Sequence, residues 1–162
     1  MLGGALNMRD DTSDLSAWSK AVRESSLKRL RLVPPGSENW RPVPGSMSFG
    51  EVAQHILDAD LWLFRKLELR TLQPMHGHAG TVQISARQDY LDILSRLDQT
   101  GKQRSELIQQ LSPTQLSELI TDQRFGGEVS VWWVIVRGNL DHETHHRGQI
   151  AVYLRIAGII TS

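Results

Sequence analysis

Residues 130–158, SVWWVIVRGNLDHETHHRGQIAVYLRIAG, are the stretch on which the fold turns. Its opening reads two ways. Val129 to Val136 is β-branched and aromatic, which favours a strand, and a run this short cannot be resolved by periodicity alone. Phased at about 100° per residue, however, Val131, Ile135, Asn139, His142, His146, Ile150 and Tyr153 fall on one face, and Gly158 stands where a helix stop belongs. The stretch is therefore predicted as one helix, about 40 Å long.

Upstream segments punctuate in the same way. Asp11, Thr12 and Ser13 can cap a helix from about Asp14 to Val33, ended by Pro34-Pro35-Gly36. A loop rich in Pro, Gly and Ser comes next, and Ser48 with Glu51 three residues on spells a capping box for a second helix reaching about Leu72. Ser85 can cap a third from Ala86 to about Leu111, where Leu91, Leu94, Leu97, Leu107, Ile108 and Leu111 form a stripe at helical spacing. Ser112, Pro113 and Gln115 start a short helix to about Ile120, and residues 121–128 read as a loop. Four long helices, one short one and no hairpin signal predict an all-α, up-down four-helix bundle.

Length and composition agree. The 162 residues suit one domain, spanning 1–162 with the first dozen residues flexible. Eighteen basic residues balance eighteen acidic ones, so there is no electrostatic footprint for nucleic acid. No signal peptide or membrane span is visible, and a cytoplasmic protein with no membrane partner is expected. There is no cysteine. Disulfides, thiolate nucleophiles and sulfur-ligated metal sites are excluded, and any metal must be held by His, Asp or Glu.

Reactive side chains concentrate in DHETHHRGQ, residues 141–149. His142 and His146 lie one helical turn apart and can bind one ion, whereas His145 points about 100° away from His146. Outside the last helix, His55 is the one histidine inside a predicted long helix, just after the capped start of the second. Three neutral imidazoles leave a fourth position open, the pattern of catalytic zinc sites.

SMSFGEVAQHILDAD followed at a distance by NLDHETHHRGQIAVYLRIAG resembles the DinB/YfiT family of four-helix bundles, over about residues 13–160. Its specific element is a His, three residues, then His-Arg-Gly-Gln, leading to Tyr-Leu-Arg and a terminal Gly. The resemblance implies a metal triad of His55, His142 and His146, with no departure in the ligand pattern. It implies a divalent transition metal, zinc or nickel first and iron or manganese next. It also implies transfer of a small-molecule thiol to an electrophile, or isomerisation with its help, and a homodimer. Since the chain has no cysteine, the thiol must arrive as a substrate.

Two other readings stand beside this one. The same site could make hydroxide for hydrolysis of a small substrate, or hold metal without catalysis in a stress response. His142 to His146 spell a literal HExxH, but no His, Asp or Glu follows His146 to complete a metalloprotease site. Glu51, Asp58, Asn139 and Gln149 are within a turn of a ligand and are candidates to orient an imidazole. Glu143 is held as a proton-transfer candidate, with an ion pair between helices as its bland alternative. Arg147 is expected in an ion pair, Gly148 at a close helix approach, and His76 and His78 in a loop near the mouth of the site. Of Trp132 and Trp133, one is expected inside and one against a partner.

Overall fold

The computed structural model describes residues 11–70 and 77–161. Helix α1 spans Asp11–Leu30, α2 Phe49–Leu69, α3 Arg87–Gln110 and the short α4 Pro113–Ser117. Strands β1 (Leu119–Asp122) and β2 (Gly127–Ser130) come next, then α5 (Val131–Ile135), a π-helical turn (Val136–Leu140) and α6 (Asp141–Ile156). Among the described residues no helix is long and apolar enough to cross a membrane. The helix end expected at Leu72, His76 and the chain start up to residue 10 lie outside the described residues. Asp11 and Thr12 already belong to α1.

The capping box at Ser48 and Glu51 forms as read, with both reciprocal hydrogen bonds present. Ser112 and Gln115 form a second box at α4. Helix α3 starts one residue later than predicted: Ala86 rather than Ser85 is its N-cap, and the Ala86 N–H donates to the Asp89 carboxylate. Arg70 ends α2 in the left-handed region, at φ 57°.

Helix α1 packs on α3 and α6, and α2 packs on the same two. Two apolar clusters divide the interior. One gathers Leu27, Leu30, Phe49, Leu57, Tyr90, Leu97, Ile150 and Leu154. The other gathers Leu15, Leu63, Ile108, Ile120, Val134 and Leu140. The order in which each helix visits them gives its direction: α1 and the last helix run one way, α2 and α3 the other. The up-down sense holds from α1 to α2 and from α3 to the last helix, whereas α2 and α3 are parallel and need the long 70–86 crossover.

Four expectations need correction. Residues 121–128 are not simply a loop, because β1 and β2 form an antiparallel hairpin with Leu119 opposite Ser130 and Asp122 opposite Gly127. Its turn uses Gly126 and Gly127 at φ 84° and 135°, conformations that disfavour other residues. The strand preference of Val129 is thus expressed just before the helix begins. The last helix is continuous but carries the π turn, which adds a residue and rotates the later turns about the axis. Finally, Gly148 meets no neighbour that a Cβ would touch, and Trp132 and Trp133 are both about 40% exposed. Their helix is covered on one side only.

Candidate metal centre

Helix α2 carries His55 into contact with the start of α6. The Nε2 atom of His142 lies 2.8 Å from that of His55 and 3.1 Å from that of His146. Potential ligand atoms of the three rings all fall within 4.8 Å of one another. Ligands about 2.0–2.1 Å from a tetrahedral ion would be separated by about 3.3 Å, close to this spacing. A nitrogen pair at such distances can share at most one proton, so the convergence leaves lone pairs aimed at a common point.

Gln149 fixes one ring. The His146 Nδ1–H donates to Gln149 Oε1 at 2.8 Å, and Gln149 Nε2 donates to the Tyr153 hydroxyl at 2.7 Å. That arrangement keeps the proton on Nδ1 and leaves Nε2 as the acceptor. Among the described residues, the buried His142 Nδ1 has no hydrogen-bond partner. With Nε2 facing two imidazoles, Nδ1 is the position left for the ring proton, and no acceptor among the described residues orients this ring as Gln149 orients His146. Gly77 lies close over His55, where a Cβ would collide with Nδ1.

The His142 and His146 rings stay neutral at physiological pH. Burial, then the neighbouring His146 and His55, lowers the His142 pKa to about 3. Burial lowers that of His146 to about 4, with the Gln149 hydrogen bond opposing and His55 reinforcing. Neutral imidazole is the form that ligates a metal.

The remaining candidates do other work. Glu51 is spent on the α2 cap and on the N–H groups of Gly80 and Val82, with Arg41 3.1 Å away. Asp58 accepts from Gln54 at 2.8 Å. Asn139 bonds Arg104, Asp60 and the Ala59 carbonyl. Glu143 is only 1% exposed and is clamped by Arg23 at 2.8 Å and Arg104 at 2.6 Å. Burial alone would raise its pKa, but the two guanidinium groups overcome that and hold it at about 2. His145 and His78 are exposed.

Reading the sequence missed the belt that claims Glu143. Arg23 from α1, Asp60 from α2, Thr100 and Arg104 from α3, and Asn139 and Glu143 from the last helix form one buried network. Two guanidinium groups meet two carboxylates, and along its helix each of these four charged residues falls between the two apolar clusters. A signal existed: Arg104 is in helical phase with Leu97 and Ile108, and Asp60 with Ile56 and Leu63. A charge on an apolar stripe marks a buried pair.

The family model described as the DinB superfamily matches residues 20–150 of the chain. The crystal structure of a DinB-like protein, YjoA, from Bacillus subtilis has the same fold, with a TM-score of 0.69 and 19% identity. The match covers 90% of this chain and 92% of that one. No curated protein matches the chain.

Proposed function

Because this chain belongs to the DinB superfamily, we propose that His55, His142 and His146 hold a divalent transition ion, zinc or nickel, for transfer of a small-molecule thiol to an electrophile. The convergence of three Nε2 atoms carries this reading. An ion held by neutral nitrogens keeps its full charge, which lowers the pKa of a thiol or a water toward neutrality.

The chain's own residues set the rest. His146 is fixed in its ligating tautomer by Gln149, while Gly77 and the buried faces of α2 and α6 limit how far the rings can turn. Glu143 follows the first histidine of the literal HExxH, yet two arginines hold it as a buried carboxylate. It is thereby withdrawn from the base role such a glutamate plays in a protease helix, which weighs against hydrolysis.

Elemental analysis of protein purified without added metal tests the centre. About one equivalent of a transition ion is expected, lost in His142→Ala. Less than about half an equivalent, unchanged by that substitution, overturns the reading. A panel of low-molecular-weight thiols against a model electrophile then tests the chemistry: the expected rate requires both thiol and metal. Ester or amide turnover without thiol would replace transfer by hydrolysis.

A further inference from the structure

The hairpin brings a cation to the flank of the three histidines. Arg124, in the turn between β1 and β2, lies over the Trp62 ring at 4.0 Å from its centroid. Its Nε and Nη2 donate to the Asp122 carboxylate at 3.1 and 3.0 Å. Among the described residues Nη1 makes no hydrogen bond, and the side chain is 35% exposed. The guanidinium is therefore rigid on one edge and available on the other.

Two distances along helices locate it. A Cβ built on Gly138 would meet Trp62 at 3.1 Å and Arg124 Nη2 at 3.3 Å, so the guanidinium lies directly against that glycine. His142 follows Gly138 by one turn, about 6 Å along the axis, and Trp62 follows His55 by two turns, about 10 Å. Glycine is what lets tryptophan and arginine come this close to the helix that carries the ligands.

The charge count leaves this arginine positive. Asp122 is shared with Lys66, whose Nζ is 3.8 Å away and whose side chain is 0% exposed. One carboxylate cannot neutralise two cations, and Arg124 is the one that solvent reaches.

We propose that Arg124 binds the carboxylate of a small substrate whose other end reaches the three-histidine centre. This rests on the metal reading above and narrows it: the molecule turned over is an anion spanning roughly two helical turns. A guanidinium pre-aligned by Asp122 and Trp62 offers its free Nη1 edge to a carboxylate as a charge-assisted donor.

The test uses the cobalt(II)-loaded full chain and hydroxamates that end in a carboxylate after two to four methylenes, each paired with its methyl ester. Binding is read from the visible spectrum of cobalt. At least one acid should bind about tenfold more tightly than its ester, the worth of one charge-assisted hydrogen bond. Arg124→Met should erase that preference and Arg124→Lys should keep part of it. Should Arg124→Met not fold, the wild-type comparison and Arg124→Lys still decide. Acids that bind no better than esters, hydroxamates that leave the spectrum unmoved, or a preference that survives in Arg124→Met overturn the assignment of Arg124 alone. Failure of cobalt to bind overturns the three-histidine reading and this inference with it.

Discussion

Gln149 shows how a single side chain sets the chemistry of a ligand. Its amide is oriented by Tyr153, so it presents an acceptor to His146 Nδ1 and leaves Nε2 facing the other rings. Gln149→Ala should weaken metal affinity by about 10–100-fold, the usual effect of losing a partner that orients a ligand. Competition with a chromophoric chelator would measure it, and an unchanged affinity would leave Gln149 a bystander. Of the four candidates within a turn of a ligand, Gln149 is the one that grips a ring. Glu51, Asp58 and Asn139 sit at equally suitable spacings but have nearer partners, and spacing carries no record of competing hydrogen bonds.

At the scale of elements, the hairpin is tied down by a buried amine. Lys66 on α2 donates to the Thr121 carbonyl and approaches Asp122, while burial lowers its pKa and Asp122 opposes that shift. Asp122→Ala should cost about 1–3 kcal/mol, because it leaves Lys66 buried without a counter-charge. Adding Lys66→Met to that variant should recover most of the loss. Urea unfolding would check both, and a neutral Asp122→Ala would show that the contact contributes nothing. The π turn belongs to this scale as well. In an unbroken α-helix His142 would share the inward face with Ile135, but the added residue brings Glu143 into that alignment. No local sequence signal announces the extra residue.

Across the whole molecule, the neutral belt joins all four long helices and separates two apolar clusters. Glu143→Gln keeps the shape but leaves two buried arginines facing one carboxylate, and should cost about 3–5 kcal/mol in denaturant unfolding. A loss below about 1 kcal/mol would place the charges in a more solvated setting than their burial implies.

The same interior sets the response to acid. His142 and His146 titrate near 3 and 4 in the folded chain and near 6.5 when unfolded, so below that value the unfolded state binds more protons. Stability of the metal-free protein should fall as pH drops from about 6.5 toward 4. Glu143, held at about 2, adds a further loss below its ordinary value of 4.5. Unfolding midpoints at pH 7.5, 6 and 5 would reveal the first window, and His142→Ala with His146→Ala should flatten it. A flat profile in the parent protein would contradict the depressed values.

The sequence by itself determined the long helices, the caps at Ser48 and Ser112 and the pairing of His142 with His146, because each rests on a repeat or spacing that acts over a few residues or along one helix face. Tertiary structure alone decided that Glu143 turns inward and that Arg124 reaches Trp62. It also decided that α2 and α3 run parallel. Arg23 and Glu143 are 120 positions apart. Their attraction becomes decisive only when four helices exclude water from between them, and no shorter stretch of chain contains both the charge and the burial that gives it force.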